Sequence, residues 1–271
     1  MSLSLLRDSL LILILFPLFS LNAENFSSTG VYFFPTNISE EECFDRAKND
    51  AIKKVMENAG FAHITHYENL NCSDIGEKNI CEYFQDSHMF YEGGFITSKI
   101  FSNPQVLDQD SIKRKCTIIL QAETERFKSL HDPNFILNVK INDNLLKNGE
   151  EIQLYGETNF PSNIYVFSFD KKNEEYKIIL PNEYQSLIDI HGEFKIPNNQ
   201  SYGIKAIFPK EHKKDIVQEH FLIVATKKDI NDFKVINNES LVSLFSRLNH
   251  LGRENWKKVR LNYFILKESV K

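Results

Sequence analysis

The chain has 271 residues, 42% of them hydrophobic, with 32 basic and 37 acidic residues and a formal net charge of −5 at pH 7. This composition is typical of a globular protein. The acidic balance lacks the basic footprint of nucleic-acid-binding proteins, so we expect no nucleic-acid partner.

The N-terminus predicts a secretory signal peptide. Arg7 precedes an apolar stretch from Leu10 to Leu21, and Ala23 is a small residue at the expected cleavage position. A membrane-spanning helix needs about 20 apolar residues, whereas this stretch is shorter and contains Pro17. We expect cleavage near Ala23, a periplasmic or secreted protein, and no stable membrane anchor after cleavage. A retained anchor is the alternative.

The cysteines predict two disulfides. All four, Cys43, Cys72, Cys81 and Cys116, lie in the first half of the chain. An even number of clustered cysteines in an exported chain is typical of a disulfide framework. The preferred pairing joins Cys72 to Cys81, closing a polar loop, and Cys43 to Cys116, because both of the latter are expected to face one core.

Signatures of catalysis are absent from the sequence, which has no nucleophile elbow, Walker loop, His-Glu-x-x-His or dinucleotide fingerprint. A zinc site of the cysteines with His63, His66 and His88 is an alternative to the disulfides, although no C-x-x-C pair is present. We assign no catalytic, cofactor-binding or metal-binding residue.

A helix is predicted after a first strand at 28–34. Ser39 and Glu42 form a capping box. An apolar residue then recurs at every fourth position, and Gly60 predicts the helix end. The residues of this apolar face are Cys43, Ala47, Ala51, Val55 and Ala59.

Three further strands complete the first unit, at 61–67, 93–101 and 113–123. In the last of these Cys116, Ile118, Leu120 and Ala122 share one face by the two-residue period of a strand.

From residue 134 onward the sequence predicts short strands separated by polar turns, a pattern typical of a sandwich or barrel. The seven candidate strands are FILNVKIN, EIQLYGE, NIYVFSFD, EYKIILPN, GEFKIP, YGIKAIF and EHFLIVATK. A helix follows and ends at Gly252, and a closing strand VRLNYFIL comes last. The helix presents Leu241, Leu244, Phe245, Leu248 and Leu251 on one face.

These patterns predict an α+β protein. The signal peptide spans 1–23, a small helix-on-antiparallel-sheet domain with the disulfides spans 24–127, and a mainly β, sandwich-like domain with one C-terminal helix and a closing strand spans 134–271. The residues His-Asp-Pro at 131–133 are the predicted hinge.

The stretch 176–185, YKIILPNEYQ, contains an alternating apolar run that stops at Pro181. Proline cannot donate to a strand ladder, so it ends the strand, and Asn182 can cap the turn through its side chain. A structural turn is favoured over a binding loop. In the strand before it, Tyr165, Phe167 and Phe169 share one face, for which core packing is favoured over a binding surface.

The second unit resembles a bacterial extracytoplasmic domain family of unknown function over residues 134–268. The likeness is carried by Gly149-Glu150, the strand Tyr165-Val166-Phe167-Ser168-Phe169-Asp170, the turn Leu180-Pro181-Asn182-Glu183-Tyr184-Gln185, and the helix ending near Gly252 with Trp256. No catalytic residues belong to that family pattern.

The first unit is similar to the N-terminal domain of flagellar assembly protein T and to the lipoprotein-20 family. The helix with Arg46, Ala47 and Ala51 and the strand Gly93-Gly94-Phe95-Ile96 carry this likeness. No cysteine precedes Cys43, so the acylated cysteine of the lipoprotein members is missing.

Together these observations predict an exported, non-enzymatic binding or assembly module of the bacterial cell envelope with a protein partner. The alternative is an exported hydrolase or effector with a site between the two domains. An adaptor predicts an exposed apolar patch or a free strand edge, while an enzyme predicts a deep polar pocket with perturbed acids or a histidine.

Overall fold

The structure is a computed structural model with an α+β fold that is mostly strand. It describes residues 23–35, 39–61, 68–75, 78–85, 93–108, 113–170, 175–198, 201–210, 215–228, 230 and 238–267. Most of the predicted signal peptide, the predicted strand at 61–67 beyond Phe61, and His63, His66 and His88 lie outside this description. In the described part, no helix is long and apolar enough to cross a membrane.

The first unit is one helix on a four-stranded antiparallel sheet, with β6 paired to β1 on one side and to β4 and β5 on the other. A separate two-stranded hairpin lies between the helix and β4. The elements are β1 Glu24–Pro35, α1 Glu40–Asn58, β2 Glu68–Ile75, β3 Lys78–Gln85, β4 Gly94–Phe101, β5 Gln105–Asp108 and β6 Lys113–Arg126.

Helix α1 begins and ends where the sequence indicates. The Ser39 side chain accepts a hydrogen bond from the Glu42 backbone N at 3.2 Å, and three glutamates occupy the first turn near the positive end of the helix dipole. Gly60 has φ +71°, a left-handed conformation that glycine adopts without cost. The predicted apolar face is buried throughout.

Close approach at Gly30 lets α1 pack against β1. A Cβ at this position would lie 1.8 Å from the Ala47 carbonyl oxygen and 2.8 Å from the Ala51 backbone nitrogen. The helix therefore contacts the strand backbone directly, and Ser28 Oγ donates to the Ala51 carbonyl at 2.7 Å.

The predicted polar loop between Cys72 and Cys81 is instead a β-hairpin. Strands β2 and β3 pair antiparallel from Glu68 opposite Gln85 to Ile75 opposite Lys78. Polar residues are interspersed along both strands, so no apolar alternation marks them.

The second unit is built on an eight-stranded sheet. Its order is β15-β11-β10-β14-β16-β8, with β7 and β12 paired to β10, while β9 and β13 form a separate ribbon. The elements are β7 Leu137–Ile141, β8 Leu145–Lys147, β9 Glu151–Ile152, β10 Leu154–Asp170, β11 Glu175–Leu180, β12 Leu187–Ile196, β13 Ile204–Lys205, β14 Ile216–Thr226, β15 Asn238–Ser240, α2 Leu241–Leu251 and β16 Trp256–Leu266, with a short 3-10 helix Arg253–Asn255 before β16.

Strand β10 spans two of the predicted strands and pairs with strands in two parts of the sheet. Its first half pairs with β7 and β12, and its second half with β11 and β14. The register shifts between Thr158 and Ser162, and both hydroxyls donate to the Phe160 carbonyl, at 3.2 and 2.7 Å. These bonds satisfy the backbone where Pro161 interrupts the ladder.

Both faces of the central strands are buried. On β14, Phe221, Ile223 and Ala225 enter the larger core, together with residues of β7, β10, β12 and β16. Leu222 and Val224 enter a second core beneath α2.

That second core confirms the prediction for the aromatic strand. Tyr165, Phe167 and Phe169 are all buried in it. Leu244, Phe245 and Leu248 of α2 are buried against the same core, as the helical period predicts.

Candidate binding surfaces

The Pro-Asn turn is structural, as the sequence indicates. Strand β11 ends at Leu180, and the Asn182 side-chain oxygen accepts hydrogen bonds from the backbone N of Tyr184 and of Gln185, both at 2.9 Å. The Asn182 side-chain nitrogen donates to the Ile179 carbonyl at 2.9 Å. The asparagine thus holds both ends of the turn.

Gln185 ties this turn to the segment after β12. Its Nε2 donates to the Lys195 carbonyl at 3.2 Å, and its Oε1 accepts from the Asn198 backbone N at 3.1 Å and from the Tyr202 hydroxyl. Tyr184, half-exposed, stacks on the Tyr202 ring with 5.8 Å between centroids. The turn therefore fixes an aromatic pair at the surface.

The disulfide between Cys43 and Cys116 is present, as predicted, with Cα atoms 6.1 Å apart. It joins the first turn of α1 to β6 near the start of that strand, inside the buried cluster that these two elements share. The pair Cys72 and Cys81 stays a prediction, because those side chains lie outside the described ones. The backbone register places the two residues directly opposite each other on β2 and β3, which is a pairing that a disulfide can bridge.

The outer face of the first sheet, away from α1, carries exposed apolar side chains. Phe33 is 53% exposed, Ile100 65%, Leu107 50% and Ile119 46%. By register, Phe33 and Leu107 flank Lys115 in one row across the sheet, and Ile100 lies beside Gln121. We call these four residues the open sheet face.

The same outer face is already covered at its other end. Phe95, opposite Glu125 on β6, lies in the second core with Phe245 of α2. The ring centroids of Phe95 and Phe245 are 5.9 Å apart. The second unit therefore covers one end of this face, and the face continues uncovered to Phe33.

The free edge of β1 is blocked. The Asp50 carboxylate of α1 accepts a hydrogen bond from the Val31 backbone N at 2.8 Å, and Lys54 donates to the Thr29 carbonyl at 3.0 Å. Asp50 and Lys54 also form an ion pair at 2.6 Å. Charged side chains at an edge oppose the addition of another strand.

Aromatic side chains fill the junction between the two units. The Phe127 ring lies 5.6 Å from Phe95 and 5.3 Å from Trp256, centroid to centroid. Asn249 of α2 accepts from the Lys128 backbone N at 2.9 Å and donates to the Glu125 carboxylate at 2.6 Å. This junction is a packed interface.

The predicted hinge at 131–133 is held to the second unit. The Asp132 carboxylate lies 2.6 Å from Lys227 Nζ, and this hydrogen-bonded ammonium holds the pKa of the Asp132 carboxyl below its usual range. Lys227 also lies 4.3 Å from the centroid of the Phe160 ring.

A buried polar group lies beneath α2 that sequence reasoning missed. His220 is 2% exposed, with the Tyr176 hydroxyl 3.4 Å from its Nε2 and Arg260 Nη2 3.0 Å from its Nδ1. Arginine only donates, so Nδ1 accepts and the proton resides on Nε2. Burial raises the pKa of Tyr176 and lowers that of Arg260 to about 9. The His220 ring stacks on the Phe169 ring, with 5.0 Å between centroids.

Among the residues that the structure describes, no group of three or more histidine, cysteine, aspartate or glutamate side chains is placed to hold a metal ion. No family model matches the chain, and no curated protein matches it either. The family resemblances therefore remain predictions.

Proposed function

We propose that this protein is an exported, non-enzymatic binding or assembly module of the bacterial cell envelope, and that a protein partner docks on the open sheet face. The observation that carries the proposal is the exposure of Phe33, Ile100, Leu107 and Ile119 on one face of one sheet. Exposed apolar residues gathered on one surface are typical of an interaction site.

The chemistry of this face favours a protein partner with an apolar surface. Among the residues of β6 from 115 to 123, the charged side chains described on this face are Lys115 and Glu123, one at each end. A face without a basic cluster offers little attraction to phosphate groups of nucleic acids or lipids. Depletion of charge at the centre is what protein interfaces have in common.

Continuity with an existing interface also supports docking here. Helix α2 already packs on this face through Phe245 and Phe95. A second apolar element beside α2 would extend that packing toward Phe33, whereas the Asp50 and Lys54 contacts oppose pairing along the β1 edge. We expect face packing rather than strand addition.

Export is supported by the disulfide between Cys43 and Cys116, since disulfides persist in oxidising compartments. The packed aromatic junction favours a binding module over a hydrolase with its site between the units, because the rings of Phe95, Phe127 and Trp256 occupy the space that such a site needs.

The test is site-specific photo-crosslinking in the protein's own cells. A photoreactive residue at position 119 should yield a discrete cross-linked species that recurs between preparations. The matched control is position 188, because Ile188 is 52% exposed on the second unit and should yield none.

The Ile119→Lys variant, probed from position 100, should lose the cross-linked species, while Ile188→Lys should keep it. Equal cross-linking from positions 119 and 188, or a species unaffected by Ile119→Lys, would contradict the proposed docking face. A species that contains only this chain would identify the partner surface as a second copy and overturn the separate partner.

A further inference from the structure

A second surface lies on the other unit, at the segment that Gln185 holds. It contains a cavity of about 700 Å³, within the range of small-molecule pockets. The side chains that matter there are Glu151, Gln153, Lys195, Asn198, Tyr202 and Lys205. The hydrogen bond that the Tyr202 hydroxyl donates to Gln185 and the stacked Tyr184 ring fix the Tyr202 side chain, so one wall of this cavity is rigid.

Gln153 lines this cavity. Its side-chain oxygen is buried and accepts no hydrogen bond from any residue within the described ranges. A buried acceptor without a donor costs about 1–3 kcal/mol. A ligand reaches this oxygen only if the glutamine side chain turns toward the cavity, where a hydroxyl group would provide the donor.

A neighbouring cavity of about 430 Å³ lies on the outer side of β7, β10 and β12. Its polar residues are Asn138, Lys140, Tyr155, Glu157 and Glu193, and the ring of Phe194 packs against Gly156 below them. Asn138 Nδ2 donates to the Glu157 carboxylate at 2.8 Å.

The two cavities meet at one cross-strand pair. Lys195 lines the first cavity and lies directly opposite Tyr155, which lines the second. The Lys195 ammonium is 5.6 Å from the centroid of the Tyr155 ring. The cavities therefore lie next to each other along the sheet, and we call them together the sheet groove.

The lining of the sheet groove contains both hydrogen-bond donors and acceptors. Lys140, Lys195 and Lys205 offer ammonium donors, and Glu151, Glu157 and Glu193 offer carboxylate acceptors. Because the formal charges balance, the groove gives no net attraction to a polyanion or a polycation. Hydroxyl groups, which donate and accept at once, fit such a lining.

From this arrangement we propose that the sheet groove binds a linear, uncharged oligosaccharide. The rings of Tyr155 and Tyr202 provide flat surfaces for the C–H faces of sugar rings, and the amides and charged groups between them bind the hydroxyls. Two neighbouring cavities fit a chain of several sugar units better than a monosaccharide. This site is separate from the open sheet face and does not depend on the partner proposed for it.

The test measures binding of the full protein to an array of linear neutral oligosaccharides, covering hexose and N-acetylhexosamine chains, followed by calorimetry on the members bound. We expect binding that Tyr155→Ala weakens about tenfold, the loss of one stacking contact. Ile188→Ala removes an apolar side chain that is 52% exposed on the same unit and lines neither cavity, and it should leave the affinity unchanged.

A second variant, Gln153→Met, removes the buried acceptor and keeps the side-chain length. It should weaken binding without lowering the melting temperature, a combination that a purely structural glutamine would not give. The proposal is overturned if no neutral oligosaccharide binds, if Tyr155→Ala binds as tightly as the parent, or if a polyanion such as polyglutamate binds the groove equally well.

Discussion

The two large sheets of this protein differ in how many faces they bury. Strand β6 of the first sheet alternates, with Cys116, Ile118 and Leu120 buried under α1 and Ile119 46% exposed on the other side. Strand β14 of the second sheet buries consecutive residues, because a sandwich core covers one face and α2 the other. A half-covered sheet retains surface for a partner, whereas a strand covered on both faces, such as β14, is structural.

The largest expected effect concerns the covered side of the first sheet. The disulfide between Cys43 and Cys116 closes a loop with a sequence separation of 73, for which chain entropy predicts a stabilisation of about 4 kcal/mol. The double variant Cys43→Ala, Cys116→Ala should lose about that much free energy of unfolding in urea titrations. A loss below about 1 kcal/mol would contradict the role assigned to this bond.

Matched substitutions on the two sheets sharpen the comparison itself. Leu222→Ala empties a fully buried site and should cost about 3 kcal/mol. Ile119→Ala, on the open sheet face, should cost no more than about 0.5 kcal/mol. Both losses in the free energy of unfolding are measured by urea titration. Similar losses at the two sites would show that the side chain at position 119 is packed in the isolated protein.

The two faces of strand β1 offer a further contrast. Gly30→Ala places a methyl group against the Ala47 carbonyl, 1.8 Å away, and should cost about 2–3 kcal/mol because α1 must move. Thr29→Ala, one residue earlier and on the opposite face, should change the free energy of unfolding little. A harmless Gly30→Ala would mean that α1 does not approach β1 this closely.

The smallest effect concerns the link between the units. The pKa of Asp132 is lowered by Lys227, so the stability that this contact contributes is present above about pH 4 and is lost as the pH falls through the lowered value. Asp132→Asn should reduce the melting temperature at pH 7. The difference in melting temperature between this variant and the parent should be smaller at pH 3. An equal difference at both pH values would argue against the contact between Asp132 and Lys227.

Local sequence signals predicted much of this fold. The cap at Ser39, the four-residue period of α1 and the alternation in β6 depend on neighbouring residues, and each agrees with the structure. The open sheet face follows from the same alternation, since Ile119 occupies the side opposite Cys116.

Local sequence signals could not predict which strands, distant in sequence, pair with each other. From Leu154, the predicted strands EIQLYGE and NIYVFSFD are one continuous strand with a bulge, because Thr158 and Ser162 satisfy the backbone there. The sheet groove unites Asn138, Glu157 and Glu193 from three strands that are distant in sequence. The buried pair of His220 and Arg260 likewise depends on the register of β14 and β16.

The most direct test of the open sheet face is hydroxyl-radical footprinting, read by mass spectrometry, on the purified protein and on intact cell-envelope preparations. In the purified protein, Phe33, Ile100, Leu107 and Ile119 should be oxidised while buried Phe167 and Leu222 are protected. In the envelope, the four residues should become protected while Ile188 remains reactive. Oxidation of the four residues at the same rate in both samples would contradict the account.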